Sequence, residues 1–185
     1  MRWFLSVPKI CHTYWDGGLM SYMRYLTVVS FMKMNPDWMV VLWTPSKRSG
    51  DRKWATKENC YPVVCTDYYP KLLEKNISVY EVDFEAFGFP NSMAEVHKSD
   101  YLRLYLLSTI GGLWSDMDII YFKGMNKLPF NVEGHRETDT FVCINKHSAY
   151  IHSAGFLMSV PGSPYFTRLE EMAHTTRRLK ALELI

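Results

Sequence analysis

The stretch Ser99–Phe122, SDYLRLYLLSTIGGLWSDMDIIYF, decides how this chain is read. Leu102, Leu106 and Leu107 recur at helical spacing, with Asp100 and Arg103 one turn apart, so a helix is predicted over Met93–Ile110. Gly111-Gly112 breaks it. Leu113–Phe122 then reads as a strand displaying Asp116 and Asp118. Side chains on a strand alternate faces, so both carboxylates are expected to point the same way, outward between apolar Leu113, Met117 and Ile119. A carboxylate pair on rigid backbone suits a hard divalent cation shared with a substrate diphosphate.

Working outward, Val7–Trp15 reads as a strand stopped by Asp16-Gly17-Gly18. Ser21–Met34 follows as a helix, with Met23, Leu26, Val29 and Met32 as its apolar positions and Asn35-Pro36 as its stop. Trp38–Trp43 is a continuous apolar run, as in a strand covered on both faces. Thr44–Asn59 is polar and basic and reads as a loop or short irregular helix. Tyr68–Lys75 is a short helix and Ser78–Val82 a short strand. Beyond the central stretch, Asn131–Asp139 is a charged turn, and Phe141–Asn145 and Gly155–Val160 are strands. Ser163-Pro164 opens a helix that runs to Leu184-Ile185 with no stop signal. Strands alternating with helices predict an α/β fold with a mostly parallel sheet, whose ligands lie at the carboxyl ends of the strands. Trp15, Asp116 and Asp118 are expected at such ends.

Composition narrows the class. The chain has 185 residues, which suits a single domain over 1–185, and its 48% hydrophobic and 22% charged content is that of a globular protein. A formal charge of +2 argues for no particular affinity for nucleic acid, which usually needs a clustered basic face. No apolar run approaches the ~20 residues of a membrane span, and MRWFLSVPKICH is too short an apolar run for a signal peptide. The cysteines Cys11, Cys60, Cys65 and Cys143 match no zinc spacing, and Cys11 and Cys143 sit in apolar strands. Buried free thiols in a reducing, cytoplasmic setting are expected.

Three ordered segments carry a family resemblance. Ser99-Asp100-x-x-Arg103, Gly111-Gly112-Leu113-Trp114 and Asp116-Met117-Asp118 resemble the DXD sugar-binding region of retaining glycosyltransferases. The groups concerned are the Och1-like mannosyltransferases, the capsular polysaccharide transferases and the catalytic domains of glucosylating clostridial toxins. Val7-Pro8-Lys9-Ile10-Cys11-His12-Thr13-Tyr14-Trp15 is similar to the opening strand of that family. Gly155–Tyr165, GFLMSVPGSPY, is a weaker third match. The resemblance implies a single nucleotide-diphosphate-sugar domain of the GT-A type. It implies metal-dependent transfer of a hexose, with retention, from a UDP-sugar (favoured over a GDP-sugar) to a glycan hydroxyl, as in polysaccharide biosynthesis.

The resemblance also implies roles. Asp118 would bind Mn²⁺ or Mg²⁺ directly; Asp116 would do so through water while touching ribose or sugar hydroxyls. Asp100 and Arg103 would hold donor-sugar hydroxyls, and Trp15 would stack on the base. On spacing alone, Asp100 and Arg103 could equally be a surface ion pair and Trp15 a core residue. Trp114 stays open between core and sugar platform, Trp3, Trp38, Trp43 and Trp54 are assigned to the core, and His12 reads as a hydrogen-bonded core residue. His152-Ser153-Ala154 stands where many members carry an Asn. The chain also stops in mid-helix where longer members add a closing segment, so a compact or C-terminally shortened domain is expected.

Two other readings remain at this point. One is a non-catalytic nucleotide-sugar binder. The other is a haloacid dehalogenase-like phosphatase, whose motif is also Asp-x-Asp at a strand end. There an apolar strand directly precedes the first Asp, whereas here Ser115 does.

Overall fold

A computed structural model describes residues 7–49, 66–127, 139–145 and 148–182. In chain order it contains β1 (Ile10–Tyr14), α1 (Tyr22–Met34), β2 (Met39–Pro45), α2 (Tyr69–Leu73) and β3 (Ser78–Val82). Then follow α3 (Glu95–Thr109), β4 (Gly112–Ser115), β5 (Thr140–Asn145), β6 (Ser148–Ser159) and α4 (Pro164–Leu182). A 3-10 turn at Met125–Lys127 comes after β4. The strands follow the order β3-β2-β1-β4-β6-β5. The class is the expected one: mixed α/β, with a six-stranded, mostly parallel sheet flanked by helices.

The chain divides into two compact units, and neither is a contiguous segment. One unit comprises Cys11–Ser99 and Ser115–Asn131. In it, β2 and β3 pair in parallel, from Val41 opposite Ser78 to Pro45 opposite Val82. Its core includes Phe31, Leu42, Leu72 and Phe84, all fully buried. Ser21 caps α1 by accepting the Arg24 N–H on its side chain, as serine commonly does at a helix start.

The other unit comprises Met1–Ile10, Asp100–Trp114 and Val132–Ile185. Here β5 and β6 form an antiparallel hairpin whose register shifts between Val142 and Cys143 and again between Ile144 and Asn145. Leu102, Leu106 and Leu107 are buried along α3, as their spacing predicts. The end of α3 is tied to the corner after β6. Ser159 Oγ donates to the Leu107 carbonyl at 2.6 Å, and the Gly162 N–H donates to the Ser108 carbonyl at 2.8 Å.

Several expectations need correction. The carboxylates do not sit on a strand: β4 ends at Ser115, and Met117 and Asp118 form a turn. The alternation of Leu113, Met117 and Ile119 imitates strand patterning, but Met117 is buried inside that turn. The buried residues of α1 are Thr27, Val28 and Phe31, while Met23 is 50% exposed. Its polar residues Arg24, Thr27, Ser30 and Lys33 wind around the helix and Thr27 is buried, so apolar periodicity does not select the inward face. Phe31 does, packing edge-on against Trp38 and Tyr121. β1 starts at Ile10 rather than Val7, β2 runs on through Pro45, and β6 begins at Ser148, seven residues before the expected start. Trp3, Trp54, Cys60, Cys65, most of the basic loop and the charged turn lie outside the described residues.

Candidate active site

The carboxylate turn is built by hydrogen bonds on both of its sides. Ser115 Oγ donates to the Asp116 carbonyl at 3.0 Å and accepts the Tyr121 hydroxyl at 2.7 Å, closing the chain around Asp116–Ile120. Tyr121 is itself held to α1, its N–H donating to Ser30 Oγ at 3.1 Å. Asn35, which ends α1, bonds in two directions. Its Nδ2 donates to the Phe31 carbonyl at 3.1 Å, and its Oδ1 accepts the Met125 N–H at 2.6 Å. With Met117 buried as the anchor, Asp116 is left half-buried and Asp118 exposed. A turn pinned in this way presents carboxylates on rigid backbone, as a binding site requires.

That donor set is small. Among the described residues no group of three His, Cys, Asp or Glu side chains converges as a metal cage would. Two carboxylates, one of them exposed, suit a cation that keeps waters and completes its shell with substrate phosphates.

Asp100 and Arg103 lie in the other unit, on α3, and Arg103 is buried. Its guanidinium bonds to Asp100 Oδ1 and to the Ala154 carbonyl of β6, and lies over the Trp114 ring. Asp100 keeps half of its side chain in solvent. A surface ion pair is therefore the wrong description for Arg103: it is fixed on three sides. Trp114 is fully buried, which assigns it to the core.

Trp15 follows β1 and is 3% exposed. Its indole N–H donates to the Gly18 carbonyl at 2.8 Å, and the Arg24 guanidinium stands 4.9 Å from its ring centroid. Next to it, Asp16 Oδ1 accepts the Gly18 N–H at 2.9 Å, and Gly17 adopts a left-handed φ of 79° to make the turn. His12 is the hydrogen-bonded core residue expected, with its Nδ1 accepting the Trp43 indole N–H at 3.1 Å.

Sequence reasoning missed the charged groups around this turn. Glu95 and Lys98 are 1% and 0% exposed, bonded to each other at 3.0 Å inside the unit that holds Trp15. The Tyr14 hydroxyl donates to Glu95 Oε2. Burial, and then the hydrogen bond to Glu95, push that phenol well above its ordinary range. A Glu and a Lys three apart on a helix read as a solvated pair, so spacing offered no signal. Arg24 and Arg48 were likewise hidden, since neither falls in a motif. Cys11 and Cys143 are free thiols, and burial raises the pKa of both. Among the described residues no helix is long and apolar enough to cross a membrane.

The α/β architecture is of the GT-A glycosyltransferase class. In fold the chain is similar to the PaToxG glycosyltransferase, with a TM-score of 0.63 at 16% identity over 94% of this chain and 62% of that one. A weaker likeness, at a TM-score of 0.45 and 17% identity, is to the galactosyltransferase LgtC solved in complex with donor and acceptor sugar analogs. That match covers 83% of this chain and 58% of the other, so the chain spans about three fifths of the length of these structures. Curated protein sequences give no match. Residues 23–133 match the family described as the glycosyltransferase sugar-binding region containing the DXD motif. The chain belongs to that family. The phosphatase reading, which rests on Asp-x-Asp alone, has no place in it.

Proposed function

We propose that this chain carries out metal-dependent transfer of a hexose from a nucleotide-diphosphate sugar to a glycan hydroxyl, with retention at the anomeric carbon. The observation that carries the proposal is the pinned turn presenting Asp116 and Asp118 in a chain of the DXD glycosyltransferase family. Asp118 and Asp116 would hold Mn²⁺ or Mg²⁺ in common with the donor's phosphates. A bound cation supplies Lewis-acid stabilisation of the charge that develops on a departing diphosphate. UDP is preferred to GDP as the carrier, in line with the family resemblance. Free thiols at Cys11 and Cys143 support a reducing, cytoplasmic setting.

The remaining roles belong to the protein's own side chains. Arg103, fixed by Asp100, the Ala154 carbonyl and the Trp114 ring, orients donor-sugar hydroxyls together with Asp100. Such pre-set geometry lowers the barrier by removing orientational freedom before the reaction. Stacking of the base on Trp15, which the family resemblance implies, would require the Arg24 guanidinium 4.9 Å from its ring centroid to move aside. In the transfer, the bond from the anomeric carbon to the phosphate oxygen breaks and a bond to the acceptor oxygen forms on the same face. The acceptor's proton passes to the departing phosphate oxygen, so no protein nucleophile is consumed.

The test is to incubate the protein with Mn²⁺, a panel of UDP- and GDP-hexoses and glycan acceptors, following the donor's anomeric proton signal by NMR. Loss of donor with a product of retained configuration supports the proposal. A donor that raises the melting temperature yet stays intact with every acceptor makes the chain a non-catalytic binder. An inverted product discards the retaining mechanism.

A further inference from the structure

Where β1 and β2 end, the chain carries charged groups that the proposed chemistry leaves unused. Lys98 Nζ donates to Glu95 Oε1 at 3.0 Å and to the Lys47 carbonyl at 2.9 Å. Glu95 Oε1 also accepts the Ser49 N–H at 2.6 Å. The backbone on both sides of Arg48 is therefore bonded to one buried ion pair. Burying such a pair is costly unless its hydrogen bonds are satisfied, and this one spends them on Tyr14 and on the loop carrying Arg48. The loop leaves β2 at its carboxyl end, where the Ser46 N–H donates to the Val82 carbonyl at the end of β3. The Trp15 backbone N–H donates to the Trp43 carbonyl at 2.9 Å, which puts the end of β1 beside the end of β2.

Against that fixed backbone the Arg48 side chain remains 49% exposed. Its guanidinium lies 3.8 Å from Asp16 Oδ2, close enough to be attracted but beyond hydrogen-bond length, so Asp16 does not consume its donors. Carboxyl ends of strands are where open α/β sheets bind ligands. We propose that Arg48 is a direct contact for a phosphate of the bound nucleotide, and that Glu95 and Lys98 are positioning residues that act through it. A guanidinium fork suits phosphate because it donates two parallel, charge-assisted hydrogen bonds. The inference rests on the reading of the site as one for a nucleotide-diphosphate sugar, and extends it to residues outside the Ser99–Phe122 stretch.

Calorimetry with UDP and with GDP in Mn²⁺ tests it. Arg48→Ala should weaken the bound nucleotide by about tenfold or more, and Arg48→Lys should recover only part of the loss. Lys47→Ala, which removes the neighbouring exposed charge, should change affinity by less than about twofold if the contact is specific. Lys98→Met should weaken binding in the parent but add nothing in the Arg48→Ala background, because residues that act through one contact are not additive. Glu95→Gln replaces Lys98→Met if circular dichroism shows the latter to be unfolded. Unchanged affinity in Arg48→Ala, or an equal loss in Lys47→Ala, overturns the phosphate contact. Additive losses overturn the positioning role. If the parent binds neither nucleotide, the donor reading itself fails; if the parent binds and Arg48→Ala binds equally, only this inference does.

Discussion

The Arg103 guanidinium lies 5.4 Å from the centroid of the Trp114 ring while its nitrogens bond to Asp100 and to the Ala154 carbonyl. Trp114 stands two residues before Asp116, so the residue that supports the arginine also leads into the carboxylate turn. One buried side chain thus joins the α3 half of the motif to the strand from which the turn emerges.

Arg103→Lys keeps the charge but removes the planar fork and the stacking, which an ammonium cannot replace. Donor turnover should fall at least about tenfold, the scale of loss when a positioning group is misplaced. Circular dichroism should show the variant folded. Turnover within about twofold of the parent would reduce Arg103 to a structural role.

The approach of Gly111 to the corner after β6 gives a stability prediction. Gly111 has a φ of 71°, and a Cβ built there would meet Pro161 N at 2.7 Å and the Ser159 carbonyl oxygen at 2.8 Å. Both neighbours are backbone and cannot swing aside. Gly111→Ala should cost more than the ~1–2 kcal/mol of left-handed backbone alone. A fall of at least several degrees in melting temperature is expected; an unchanged transition would contradict the close approach.

How much of this was legible follows from where the determinants lie. The α3 helix and the glycine break that follows it are local, and the structure has them where spacing puts them. What ends β4 at Ser115 is not local: Tyr121 returns to Ser115 while bonded to Ser30, 91 residues away. The burial of Glu95 is also long-range, set by Tyr14, 81 residues distant, and by Ser49. On α1, apolar residues lie on several sides, and the buried face is set by partners such as Tyr121. Pattern reasoning sees period and composition; it does not see a partner that arrives from elsewhere in the chain.

Tyr14 gives the fold an alkaline limit. Its hydroxyl is buried and bonded to Glu95, which raises its folded pKa above the unfolded value of about 10. The folded state therefore keeps a proton that the unfolded state releases above that pH. The corresponding stability is fully present below pH 10 and declines as pH rises, by about 1.4 kcal/mol per unit for this one group. Urea unfolding at pH 8, 9, 10 and 11 should show the decline. Tyr14→Phe should be less stable at pH 8 for want of the Glu95 hydrogen bond, but should flatten the slope above pH 10. An identical slope would contradict the assignment.

In the proposed chemistry the Asp116–Asp118 turn binds a nucleotide diphosphate together with a divalent cation. Two phosphates beside two carboxylates repel unless a cation lies between them. Calorimetry of UDP binding in Mn²⁺ and in EDTA measures this directly, with Asp118→Asn and Asp116→Asn as companions. Strong metal dependence is expected in the parent, with near-complete loss of it in Asp118→Asn and a smaller loss in Asp116→Asn. Equal affinity in Mn²⁺ and EDTA would contradict this binding mode.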